Sequence, residues 1–185
     1  GFEMFGYWES PHVNGVLTGY IDEIGSFITF RNTGEINWQQ ILPIYRADAV
    51  DARIAGFEGT VTVSPIPALS LVLTANYTYG RNKTDDLPLP MIPPFRVVTD
   101  LRVKRGAFEY GIENESSARQ TRVDRFERET AGYSIFKPYL RMDIFHGGSI
   151  HRVIFSIENV FDTEYRNHLS RIKSIMPETG RNYRV

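Results

Sequence analysis

The residues best suited to chemistry lie near the end of the chain, where His168 follows Asn167 and precedes Arg171 and Lys173. Imidazole is the commonest side-chain metal ligand, so His168 and Arg171 suggest contact with a metal or metal chelate. Hydrogen bonding within a loop explains the same residues without any ligand. His146 and His151 bracket Gly147, Gly148 and Ser149 and can face one another across a hairpin, but two imidazoles without a third ligand bind zinc only adventitiously. Asp85 and Asp86 precede a proline-rich stretch, and Glu127 and Glu129 flank Arg128; either set can touch a cationic substrate or simply solvate a loop. Catalysis has no support, because the chain lacks GxSxG, HExxH, a phosphate-cradling glycine loop and a nucleophile with its base. The absence of cysteine removes disulfides, thiolate metal sites and a thiol nucleophile together. No enzyme, no metal site and no cofactor are expected.

The elements that must carry these residues are strands. The 21 Lys and Arg nearly balance the 22 Asp and Glu, so overall charge does not draw the chain to nucleic acid. The 10 Tyr and 12 Phe favour both strands and membrane interfaces. No apolar run approaches the roughly 18 residues a spanning helix needs, which leaves a membrane reading only for a barrel, whose strands take about 9 to 11 residues. The chain begins at Gly1 without a basic and apolar leader, so any signal peptide is removed or lies outside this segment.

Period-two alternation is clearest from Leu69 to Tyr79, where Leu69, Leu71, Leu73, Ala75, Tyr77 and Tyr79 share one face and Ser70, Thr74, Asn76 and Thr78 the other. Phe95, Val97, Thr99, Leu101 and Val103 oppose Arg96, Asp100, Arg102 and Lys104 in the same way. Further runs predict strands over 2–9, 14–30, 50–64, 69–81, 95–105, 107–125, 133–146, 150–166 and 181–185. Short turns near residues 11–13, 65–68, 105–107 and 147–149 alternate with longer links at 31–49, 82–94, 127–132 and 167–180. That alternation predicts an all-β, antiparallel, up-and-down transmembrane β-barrel with brief turns at one end and long loops at the other. Arg96, Asp100, Arg102, Arg141 and Arg152 then face the lumen, as a polar path, as contacts to a plug, or in cross-strand pairs with Asp143 or Glu113. Tyr77, Tyr79, Phe108 and Tyr110 become membrane-interface anchors.

Four stretches, DARIAGFE at 51–58, LPLPMIPPFR at 87–96, ENVFDTEYRNHLSRIK at 158–173 and PETGRNYRV at 177–185, resemble the C-terminal barrel strands of TonB-dependent receptors. The resemblance implies a plugged outer-membrane barrel of about 22 strands, of which this chain supplies about nine. It implies import of a scarce nutrient such as a siderophore, haem, metal ion or cobalamin, and it places His168, Arg171, Asp85 and Asp86 in extracellular loops. The implied partners are outer-membrane lipid, a plug domain and the remaining strands, the TonB complex reached through the plug, and a small nutrient ligand. No plug or TonB box is recognisable within 1–185, and the sequence stops at Val185 before the aromatic residue that typically ends such proteins. Residues 1–185 are therefore expected to be the C-terminal portion of a receptor barrel, prone to aggregate when expressed alone. The alternatives are a small self-contained porin or adhesin barrel and a soluble β-sandwich binding module.

Overall fold

Adjacent strands pair along the whole chain. The computed structural model describes residues 1–185 as β1 (Phe2–Glu9), β2 (Val13–Asn37), β3 (Leu42–Ile66), β4 (Leu69–Asn82), β5 (Leu87–Pro88), β6 (Arg96–Arg105), β7 (Phe108–Ser117), β8 (Tyr133–His146), β9 (Ser149–Glu158) and β10 (Asn182–Arg184), with no helix. They form one antiparallel sheet in the order β1-β2-β3-β4-β6-β7-β8-β9-β10, with the two-residue β5 pairing only the end of β4. The path contains the nine strands expected and has the up-and-down order. There is no second sheet, so the sandwich alternative falls. The sheet is open, with β1 and β10 each leaving one edge unpaired.

Four element ends lie well away from the sequence expectation. The link expected at 31–49 is instead a continuation of the β2–β3 hairpin, closed by residues 38–41 with Ile41 in the left-handed region at φ 55°. The polar run there reads as loop, yet the backbone ladder and the Thr33 hydroxyl donating to Ile44 O at 3.0 Å hold it extended. Strand β7 stops at Ser117 because Ala118 N turns to Phe95 O and Gln120 bridges to Thr130. Strand β9 stops at Glu158 because Asn159 takes a φ of 50° and its amide side chain closes a turn on both backbone groups of Thr163, at 2.9 Å each.

The interior and exterior are inverted relative to a water-soluble domain. Only Val50, Ala52 and Leu89 are buried hydrophobics, whereas ten buried residues are polar or charged. One sheet face carries exposed Leu71, Leu73, Leu101, Val103, Tyr110, Ile112 and Phe155. Strict alternation puts polar residues on the other, and the observed pairing keeps like with like: Leu71 opposes Leu101, and Leu101 opposes Ile112, while Asp100 opposes Glu113. A one-residue slip would send every one of these side chains to the wrong face, so the pattern fixes the register.

Two tyrosines tie three strands each across the polar face. The Tyr20 ring lies over Gly56 and its hydroxyl meets Thr78 Oγ1 at 3.0 Å; the Tyr139 ring lies over Gly111 and donates to Asp100 at 3.0 Å. A Cβ on Gly111 would sit 2.1 Å from the Tyr139 ring. The missing side chain on the middle strand is what lets the ring reach the third.

Candidate functional site

The polar face is held by ion pairs between and along strands. Arg141 meets Glu109 at 2.7 Å, Arg96 meets Glu115 at 2.6 Å, and Arg152 meets Asp143 at 2.7 Å. Arg102 takes Asp100 two residues away on its own strand, at 2.6 Å. All five residues expected to face a lumen thus share the polar face, and each is paired with an opposite charge.

Above this face, at the end with the long links, the loops 83–95, 118–132 and 159–181 pack together and against β2 and β3. Two buried hubs hold them. In the first, Arg31 on β2 gives both Nε and Nη2 to the Asp124 carboxylate at 2.9 Å each and Nη1 to Asp85 at 2.5 Å. Asp124 is 4% exposed, and Asn82, itself buried, supports Asp85 from below at 2.9 Å. A bidentate guanidinium–carboxylate pair fixes orientation as well as distance. It joins residues 93 positions apart.

The second hub centres on Glu127. Its carboxylate accepts from Met91 N at 3.1 and 3.2 Å, from Asp124 N at 3.3 Å and from Lys173 Nζ at 2.7 Å, and it lies 3.1 Å from His168 Nε2. Lys173 also donates to His168 O at 2.7 Å. Burial pushes the Glu127 carboxyl up, but the hydrogen bonds from His168 and Lys173 outweigh it and bring it down to about 2. One carboxylate therefore joins all three loops, and Met91 is held in the left-handed region, φ 60°, to present its N–H.

His168 is wholly enclosed. Its side chain has no exposed surface, Nε2 faces Glu127, and Nδ1 lies 2.9 Å from Thr130 Oγ1. The Lys173 ammonium stands 3.4 and 3.3 Å from the two ring nitrogens, and such near-equal distances place it against the ring rather than on a lone pair. Both ring nitrogens are engaged by protein partners, Nε2 donating to the Glu127 carboxylate, so this geometry fits loop hydrogen bonding and leaves no ligand position on the imidazole.

Asp85 and Asp86 are likewise engaged, Asp85 by Arg31 and Asn82 and Asp86 by Arg81. Arg171 differs. It is exposed, makes no ion pair, and lines a groove of about 410 Å³ with Phe30, Tyr45, Pro90, Met91 and Leu169. His146 and His151 stand across from Ser149 and Ile144 respectively, so the hairpin does not set the two rings opposite one another. No group of three or more His, Cys, Asp or Glu side chains is arranged to hold a metal.

The four aromatic anchors separate to the two ends of the apolar face. Tyr77 lies 6.1 Å from Phe57, which lies 6.3 Å from Phe95, near the long loops. Phe108 and Tyr110, 6.3 Å apart, sit beside the short β6–β7 turn at the opposite end. Tyr79 stands two residues above Tyr77, under the guanidinium of Arg122 at 3.8 Å.

Arg31, Asp124, Thr130 and Met91 carried no signal in the sequence. Their partners lie 36 to 93 residues away, and nothing in local spacing marks an aspartate for burial.

No family model matches the sequence, and neither does any curated protein. Solved structures do match by fold. The copper transporter OprC superposes with a TM-score of 0.85 at 22% identity, over 98% of this chain and 29% of that one. An iron transporter, FrpB from Neisseria meningitidis, gives 0.73 at 13% identity over 98% and 30%. The ferric enterobactin receptor PfeA from Pseudomonas aeruginosa gives 0.69 at 15% over 98% and 29%. These neighbours are TonB-dependent receptors of Gram-negative outer membranes, and none is an enzyme. This chain has the fold of a segment of their barrels, spanning less than a third of their length.

Proposed function

We propose that residues 1–185 are the C-terminal portion of the barrel of an outer-membrane receptor that imports a scarce nutrient, such as a siderophore, haem, metal ion or cobalamin, with TonB-coupled energy. The observation that carries this reading is the inverted sheet: an apolar face with aromatic clusters at both ends, an ion-paired polar face behind it, and long loops folded over at one end only. Water-excluded strands must satisfy every backbone group, so the free edges of β1 and β10 require further strands to close the wall. The partners follow from the faces. Lipid covers the apolar side, a plug domain fills the polar lumen and links to the TonB complex, and the nutrient approaches through the loops. Arg171, the unpaired cation of the groove beside Met91 and Tyr45, is the residue in these loops best placed to meet it. Asp85, Asp86 and His168 position the loops instead.

Uptake of labelled metal chelates by cells carrying or lacking the whole receptor tests the reading. Loss of uptake of one chelate on deletion, and a several-fold loss in Arg171→Glu with the barrel still heat-modifiable on a gel, are expected. Recovery of the protein in the soluble periplasmic fraction would refute it.

A further inference from the structure

Two halves of the polar face differ in chemistry. Between Gly56 and Ser64 on β3 and between Ser70 and Thr78 on β4, that face carries a single charged side chain, Glu58, which is exposed and forms no ion pair. Hydroxyls dominate the rest, and they satisfy one another: Thr60 Oγ1 lies 3.1 Å from Thr74 Oγ1, Ser64 Oγ donates to Ser70 Oγ at 3.4 Å, and Thr78 meets Tyr20. On the same face of β6–β9 stand the ion pairs described above, Lys137 at 3.8 Å from Glu158, and Lys104 and Glu113 without ion pairs. Strand β3 runs from the region of Tyr45, which lines the Arg171 groove, to the short-turn end of the wall. Between the two, Leu89 of the loop 83–95 is 1% exposed, packs with Val50 and Ala52, and seals the top of the hydroxyl half.

We propose that the imported solute travels along the hydroxyl half, between β3–β4 and the plug, and that the plug is anchored on the charged half, β6–β9. Hydrogen bonds to an ionised group are roughly twice as strong as neutral ones, so guanidinium, ammonium and carboxylate groups hold a neighbour where hydroxyls release it. Passage needs sites that are weak enough to leave. A solute drawn in by Arg171 carries negative charge, and on β6–β9 it would meet the forks of Arg102, Arg141 and Arg152, a geometry that grips carboxylates and phosphates. Along β3–β4 it meets only the like charge of Glu58 and hydroxyls already bonded to each other, so nothing there retains it. The charged half suits an anchor for the same reason: Lys104 and Glu113 remain open to fixed partners. Leu89 closes the route at rest, so the hydroxyl half opens to the outside only during transport.

The proposal rests on the uptake reading, and the test separates the two. Ser70 and Ser156 share the polar face and one row of paired residues, Ser70–Arg102–Gly111–Tyr139–Ser156, with one serine in each half. The whole receptor carrying Ser70→Cys or Ser156→Cys is exposed in intact cells to a membrane-impermeant maleimide, with and without the metal chelate taken up in the assay above, and with and without an uncoupler. The unaltered receptor gives the background. Labelling of Ser70→Cys is expected to rise several-fold when chelate is added to energised cells, to return to its resting level with the uncoupler, and to block further uptake. Labelling of Ser156→Cys should stay at its resting level throughout. An equal rise at both positions, a rise at Ser156→Cys alone, or no rise at either overturns the proposal. Thr62→Cys, on the same half, repeats the measurement if Ser70→Cys does not assemble. An assembled receptor that takes up no chelate counts against the uptake reading instead, and one that is not heat-modifiable counts against the barrel.

Discussion

The wall and the loop cap are stabilised in opposite ways. The wall has almost no buried core of its own; its order comes from continuous backbone pairing, from alternation and from tyrosines laid over glycines. The cap is irregular and mostly exposed, and its order comes from a few buried charges whose partners lie on other loops or on β2. A repeating element tolerates the loss of one contact, because its neighbours repeat the same information. A buried charge does not, because its partner is unique and the desolvation cost remains when the partner is gone.

Breaking the cap should therefore cost most. Glu127→Ala leaves the Lys173 ammonium, His168 and Met91 N without their acceptor, and about 3–5 kcal/mol of local stability should be lost. Limited proteolysis should then cut 83–95, 118–132 and 159–181 together while the strands stay protected. Protection of the strands falling equally would show that the two regions are not independent.

Acid should produce the same break. Glu127 is held at about 2, below an ordinary value near 4.5. A depressed carboxyl stabilises the folded form fully above its ordinary value and loses that contribution as pH falls through the folded one. Hydrogen exchange of the loops should stay slow and flat from pH 8 to about 5, once corrected for intrinsic rates, and accelerate between about 4.5 and 2. Acceleration already at pH 6 would point to a different latch.

Gly111→Ala tests the wall. The new methyl displaces the Tyr139 ring and breaks its bond to Asp100, an overpacking cost of about 1–3 kcal/mol. The midpoint of heat modification should drop while loop proteolysis is unchanged. Arg152→Gln should be the mildest change: its pair with Asp143 is exposed, and such pairs contribute little. No measurable shift in either assay is expected, and a large one would show that the ladder of charges acts as a unit.

Legibility in the sequence follows the same division. The Leu69–Tyr79 alternation specified β4 to within one residue, and the ends of β1 and β8 were equally plain. The misread ends all fall where the cap begins. Residues 31–37 continue a strand because β3 pairs them, residues 118–125 leave the sheet because distant groups bind them, and residues 159–166 leave it because Asn159 closes a local turn on Thr163. His168 shows the limit most sharply: its type and neighbours suggested a ligand contact, but the folded loops enclose it between Glu127, Thr130 and Lys173.

The sequence by itself determined the period-two faces, the register they impose and the long links at 82–94, 127–132 and 167–180 but not the one expected at 31–49, because the faces depend on neighbours one or two positions apart. Only the tertiary structure decided which charges are buried, that Asp85, Asp86 and His168 are engaged by protein partners, and that Arg171 remains free. Those outcomes depend on loop contacts across tens of residues, where the cost of burying a charge is set by a partner that no local spacing reveals.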